Sequence, residues 1–371
     1  ALLAWSLSRA GIALVMYVAQ PLIIDAAAPP PYHLRPDNII LDGLGSRWDT
    51  GFYLDIAEHG YVYEGAALPS VAFFPLLPLL MRAVGALIGD TLVAGLLISN
   101  LALLGAAMLL HRLTDDEWGP AVADRAVWYL LIFPASLFGS AIYTESLLLF
   151  AAIGALYAAR KGAWEIAALL GIAAALTRLV GVVVAPMLLA EWWMQRQRGE
   201  RRPPAWALLA GLAPPLGTLA YMGFLHWRFG DALAFAHAAA AWAREPRSPL
   251  AMLGALFARP AEGWLAALPA GRIPLDNWID ALFALAFLAL GGLLLWRRRW
   301  SEGVFVALGA LIPLSSGLLM SQRRYVWVLF PAFILLARWG GRPWVDRLLT
   351  LAFALGLALM SALFVNWYWV G

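Results

Sequence analysis

The segment from Arg47 to Tyr61 crowds titratable side chains among aromatics: Arg47, Asp49, Asp55, Glu58 and His59 stand beside Trp48, Phe52, Tyr53 and Tyr61. A carboxylate held in such a setting can take or give a proton at a reacting oxygen. At about 100° per residue, Asp49 shares a helical stripe with Phe52, Tyr53 and Ile56, whereas Asp55 points about 120° away, near Glu58 and His59. Only one carboxylate can face a given site, and residue types alone leave Asp49, Asp55, Glu58, Glu64 and Glu145 as candidates. A plain amphipathic surface helix anchored by Trp and Tyr would account for the aromatics equally well. The absence of cysteine excludes thiol nucleophiles, disulfides and zinc–thiolate sites. His59, His226 and His237 lack a metal-site spacing, so neither a metal nor a cofactor is expected.

The elements that must position these groups follow from composition. Of 371 residues, 63% are hydrophobic and only 13% charged, against roughly 45–50% and about 25% in soluble proteins. Mean hydropathy is +0.75. Apolar runs of about 18–22 residues match a hydrocarbon core of ~30 Å. They centre on 2–24, 92–111, 122–139, 146–159, 164–176, 179–194, 205–225, 278–296, 303–318, 325–338 and 345–366, which predicts an all-α polytopic membrane protein of about eleven spans. All 26 basic residues but Lys161 are arginine, and no basic run interleaves with aromatics, so nucleic acid is not an expected partner.

With Arg9 and the N-terminus on the cytoplasmic side, the short cytoplasmic connections carry fourteen basic residues, including Arg160, Arg201, Arg297, Arg298, Arg299, Arg338 and Arg342. The opposite short connections carry three: Arg178, Arg323 and Arg324. That asymmetry fixes the expected orientation and singles out those three. Two long segments, 25–91 and 226–277, fall on the non-cytoplasmic side. Within the first, 71–89 is apolar but interrupted by Pro75, Pro78 and Arg82, and reads as an interfacial or re-entrant helix. No 20–50-residue repeat divides the chain, so 1–371 reads as a single domain.

The run RWDTGFYLDIAEHGYVYEG (47–65) followed by VAFFPLLPLL (71–80) resembles the signature of the PIG-V mannosyltransferase family and its bacterial relatives. The resemblance continues in FPASLFGSAIYTESLLLF (133–150), ALTRLVGVVVAPMLLAEW (175–192), WRFGDALAFAHAAAAW (227–242) and SQRRYVWVLFPAFILLA (321–337). It implies a GT-C-type fold with a helical, catalytic first external loop. It implies transfer of mannose, with inversion, from polyprenyl- or dolichyl-phosphate mannose to a lipid- or membrane-linked glycan acceptor on the non-cytoplasmic face. The resemblance makes Asp49 the catalytic carboxylate and general base.

Such chemistry also needs positive charge on the leaving phosphate. The external loops hold no Asp-x-Asp pair, which leaves the planar fork of arginine as the expected partner. Arg178, Arg323 and Arg324, with His59, are the donor-phosphate candidates. Arg47, Trp48, Asp55, Glu58, Tyr143 and Glu145 are the remaining substrate-contact candidates. Glu145 also begins an apolar run, where an acid would complement the helix dipole whatever else it does. The stretch holding His226, Arg228, Asp231, His237 and Arg244 reads as an amphipathic cover. The expected setting is a bacterial plasma membrane, or the endoplasmic reticulum in a eukaryote. A carrier or scramblase of polyprenyl-phosphate sugars, or transfer of another sugar, are the alternatives.

Overall fold

The computed structural model describes all residues except 27–36, 66, 200–201, 258–262, 269 and 272–274, so Arg201 and part of the first long loop lie outside the described residues. Among the described residues every regular element is helical. In chain order these are α1 (Leu2–Leu22), α2 (Ile39–Gly45), α3 (Thr50–Glu58), α4 (Leu76–Ile88), α5 (Thr91–Trp118), α6 (Pro120–Ile132), α7 (Glu145–Lys161), α8 (Trp164–Thr177), α9 (Val184–Arg198) and α10 (Ala207–Leu212). The chain continues through α11 (Pro215–Phe229), α12 (Ala234–Ala238), α13 (Pro249–Ala255), α14 (Trp264–Ala267), α15 (Leu275–Trp296), α16 (Trp300–Leu314), α17 (Gln322–Trp327), α18 (Pro331–Trp339) and α19 (Pro343–Val365).

Four described helices, α1, α5, α15 and α19, are long and apolar enough to cross a membrane. With the composition, they make this an integral membrane protein. The eleven expected spans are not eleven unbroken helices. The run 122–139 is α6 followed by the 3₁₀ turn Pro134–Gly139, 179–194 is the 3₁₀ turn Leu179–Val183 followed by α9, 205–225 is α10 and α11, and 325–338 is α17 and α18. Three of these four breaks fall at Pro134, Pro214–Pro215 and Pro331, where the missing N–H and the ring clash end a helix.

α7 is the central helix: 13 of its 17 residues are buried, against α5, α8 and α9. Its apolar, Ala-rich surface admits close neighbours on every side, which suits a helix enclosed all round. Arg9 corrects one expectation. It does not mark an aqueous end of α1 but is buried, donating to the carbonyls of Leu131 (2.7 Å) and Ser136 (2.8 Å) and to the hydroxyls of Ser136 and Ser140. There it satisfies carbonyls left free where α6 ends.

The first long loop is built locally. Asn38 caps α2 by accepting from Ile40 N and Leu41 N, each at 3.1 Å. α3 ends at His59 ahead of Gly60, whose φ of +97° suits glycine. Arg82 of α4 donates to Ala57 O at 2.6 Å and so ties α4 across the end of α3. Tyr53, Leu54 and Ala57 of α3 pack with Leu77 and Met81 of α4 and with Ile142 and Leu147. At 13 residues, α4 is about 20 Å long, too short to cross the core.

The long helices give the bundle two ends. Glu145 of α7, Asp276 of α15 and Val365 of α19 are all bound by Arg residues around the first loop and α17. The opposite ends of these helices lie roughly 25–35 Å away at 1.5 Å per residue.

Candidate active site

Asp49 precedes the first turn of α3, and its neighbour Trp48 has φ 56°. That left-handed state is rare for a large side chain and costs about 1–3 kcal/mol unless its surroundings enforce it. Here Trp48 is wedged edge-on against Trp369 (5.2 Å between ring centres) and lies 5.8 Å from Trp367. The turn directs the Asp49 side chain to Arg324, whose Nη1 lies 3.1 Å from Asp49 Oδ2. The Asp49 amide donates to the Tyr143 hydroxyl at 3.2 Å, and that hydroxyl donates to Arg47 O at 3.4 Å.

Arg324 is placed by a second left-handed residue, Ser321, with φ 80°. The buried Asp280 carboxylate holds that turn by accepting from Ser321 N and Arg323 N, each at 2.9 Å. Arg324 then reaches Glu145 Oε1 through Nε (2.9 Å) as well as Asp49. Its guanidinium lies over Tyr143 (5.2 Å), Phe138 (5.3 Å) and Trp369 (5.4 Å). Glu145, 1% exposed, is shared with Arg178, which pairs with the same oxygen. Arg178, Arg244 and Arg324 all approach the Tyr325 ring, at 4.9, 5.5 and 5.5 Å.

The second long loop supplies Arg244. Gly317 (φ +85°) lets the chain pass against Glu245, because a Cβ there would lie 2.0 Å from Glu245 O. Arg247 N donates to Ser315 O at 3.1 Å and Arg244 Nη1 to Ser316 Oγ at 3.0 Å. Trp242 sets its ring edge-on to Phe52 (5.9 Å) and Phe73 (5.8 Å), so this loop covers α3. Asp231 joins the two loops, accepting from Tyr63 at 2.9 Å and bonded to His237 at 2.7 Å. The His237 contact holds the half-buried Asp231 carboxyl below the usual carboxylate range.

Among the sequence candidates, the structure therefore brings together Asp49, Trp48, Tyr143, Glu145, Arg178 and Arg324. It places the others elsewhere. Arg323, 1% exposed, pairs with Asp276 and with Asp280 (3.1 Å) on α15. Arg47 pairs with Asp42 (2.6 Å), donates to Val365 O (2.9 Å) and lies over Trp367, so it fastens α2 to the end of α19. His59 and Asp55 bond each other at 2.9 Å on the surface, and Glu58 is exposed. Tyr325, Phe138 and the Trp367–Trp369 segment escaped the sequence reading. Asp276 and Asp280, four residues apart in an apolar helix, were the available signal for Arg323.

Three arginines thus converge with two carboxylates, a surplus of one positive charge. The buried polar atoms here that make no hydrogen bond include Trp48 Nε1, Thr50 Oγ1, Thr144 Oγ1, Glu145 Oε2, Trp369 Nε1 and Arg324 Nε, the last held to Glu145 by charge alone. The arrangement offers a partly exposed carboxylate (Asp49, 22%) beside cations suited to a phosphate.

Residues 31–194 match the family model described as Mannosyltransferase (PIG-V). That stretch, somewhat under half of the chain, is similar to the PIG-V mannosyltransferases. The matched stretch holds Asp49, Tyr143, Glu145 and Arg178, whereas Arg244, Arg324 and the C-terminal tryptophans lie beyond it. A GPI alpha-1,6-mannosyltransferase 2 of Rattus norvegicus is 34% identical over 183 residues, 44% of this chain and 36% of that protein. A GPI mannosyltransferase 2 of Chaetomium globosum is 37% identical over 113 residues, 27% of this chain and 24% of that protein. The chain thus matches about a third or less of the length of these relatives. ArnT from Cupriavidus metallidurans, solved bound to undecaprenyl phosphate, superposes with a TM-score of 0.51 at 14% identity, over 97% of this chain and 76% of that one. That likeness identifies the fold as GT-C.

Proposed function

We propose that this chain is a mannosyltransferase of the PIG-V type, which transfers mannose from a polyprenyl-phosphate mannose to a hydroxyl of a lipid- or membrane-linked glycan, at the non-cytoplasmic membrane face, as one domain spanning 1–371. The observation that carries this reading is the Asp49–Arg324 pair standing within a cluster that has one arginine more than it has carboxylates. Relatives named as mannosyltransferases point to the sugar, and the ArnT structure with its lipid phosphate points to the carrier.

In this reading Asp49 takes the proton of the acceptor hydroxyl. The acceptor oxygen forms its bond to the anomeric carbon as the carbon–oxygen bond to phosphate breaks, and the phosphate leaves with the electron pair. One displacement inverts the anomeric centre. Positioned proton transfer contributes about 10²–10⁴-fold, and fixed cations on the leaving oxygens add more because their orientation is set before reaction. Arg324 has a further task. In the free protein it is paired with Asp49, and a donor phosphate competing for its guanidinium would release that carboxylate for the acceptor.

Purified protein incubated with synthetic polyprenyl-phosphate [³H]mannose and a panel of lipid-linked acceptors should yield an organic-soluble mannoside of inverted configuration. Movement of the donor across liposomes without glycoside formation would establish the carrier alternative instead.

A further inference from the structure

At the end of the bundle remote from Asp49, a cavity of about 650 Å³ opens between the α15–α16 turn, the end of α18 and the start of α19. Its size falls in the range of about 300–1,000 Å³ usual for ligand pockets. Arg297, Arg338 and Arg342 line it, together with Trp339 and Trp344. Among the described residues none of these three arginines has a carboxylate within ion-pair distance, although Arg299, two positions from Arg297, is fully engaged by Glu117 and Glu302. Arg338 rests on the Trp118 ring, 3.7 Å from its centre, while Arg297 and Arg342 are exposed. Three like charges converging on one concavity repel each other unless an anion joins them. The N-terminus of the 23-residue α19, directly after Arg342, adds the positive end of its dipole.

The apolar wall decides between sources of that anion. Leu348 and Leu349 complete the lining, and from Leu348 an exposed stripe runs along α19 through Leu351, Leu355 and Leu359, all 56–62% exposed. Their spacing of three and four residues puts them on one helix face. A free phosphate would use the arginines and leave this stripe idle. A glycerophospholipid would use both, with the tryptophans at headgroup level.

We propose that this cavity is a binding site for the headgroup of an anionic glycerophospholipid, whose acyl chain follows the leucine stripe of α19. The site is independent of the transfer chemistry at Asp49. Among the described residues the side chains of Arg297 and Arg342 make no hydrogen bond or ion pair, so the double variant Arg297→Gln/Arg342→Gln keeps the fold. The test is native mass spectrometry and thermal melting of the full chain with dioctanoyl phosphatidylglycerol, dioctanoyl phosphatidylcholine or inorganic phosphate. Phosphatidylglycerol should bind and raise the melting temperature of the wild type, and bind about 30-fold more weakly to the double variant, at roughly a factor of five per arginine. Phosphatidylcholine and inorganic phosphate should do neither. Equal binding of phosphatidylcholine, a shift produced by inorganic phosphate as large as that by phosphatidylglycerol, or undiminished lipid binding by the double variant would each overturn the assignment.

Discussion

α7 carries an ion cluster at each end, and the two are built to different rules. At its Arg160 end, Glu117, Glu191 and Glu302 use all six carboxylate oxygens. Arg160 and Arg299 serve Glu117 and Glu302, while Gln195, Ser301 and Arg160 serve Glu191. This network ties α5, α7, α9 and α16 together. At the Glu145 end, one oxygen of Glu145 accepts from Arg178 and is ion-paired with Arg324, while the other has no hydrogen-bond partner, and Trp48 Nε1, Thr50 Oγ1, Thr144 Oγ1, Trp369 Nε1 and Arg324 Nε are likewise without one. Fully satisfied networks rigidify a fold, whereas a concentration of unpaired polar atoms beside strained backbone is the mark of a place kept for something else. On this contrast the Arg160 end reads as a lock and the Glu145 end as the proposed site.

The largest expected break in this contrast is Asp49→Asn, which should lower transfer by about 10²–10⁴-fold in the radiolabel assay without lowering the melting temperature appreciably. Arg324→Lys keeps the charge but cannot bridge Asp49 and Glu145 with one planar fork. A loss of about ten- to a hundredfold in kcat/KM is expected. Glu302→Gln should behave in the reverse manner. Removing one partner of a buried pair costs about 3–5 kcal/mol, so denaturant melts should shift strongly while transfer per folded molecule stays within about twofold. The smallest effect is expected for His59→Ala, because His59 is 72% exposed and bonds only Asp55. Its rate should match the wild type within about twofold, surface pairs being worth about 0–1 kcal/mol.

How much of this was legible in the sequence follows from the chemistry of each residue. Asp49, Arg178 and Arg324 stood out because charge is scarce in this chain and topology did not account for them, whereas Glu145 was explained equally well as an acid at a helix start. Arg323 stood out for the same reason and serves otherwise. Adjacent residues on a helix point about 100° apart, so Arg324 meets Asp49 while Arg323 meets Asp276 and Asp280. Which of the two faced the site depended on α15, about 45 residues upstream, and on the left-handed Ser321. Arg47 is adjacent to Trp48-Asp49 in sequence, yet it is turned toward Asp42 and Val365 by the reversal at Trp48. The C-terminal Trp367 and Trp369 carry no local signal at all, since their role arises from α19 returning to the first loop. Helix existence was legible from hydropathy, but Pro134, Pro214, Pro215 and Pro331 cut several expected spans into shorter pieces.

The most direct test loads Asp49→Asn with polyprenyl-phosphate mannose and follows a single turnover after adding acceptor. The arginine cluster is intact in this variant and Arg324 is released from its carboxylate, so donor binding should equal or exceed that of the wild type while mannoside formation falls by about two orders of magnitude or more. Mannoside formed at the wild-type rate would contradict the assignment of Asp49 as the base.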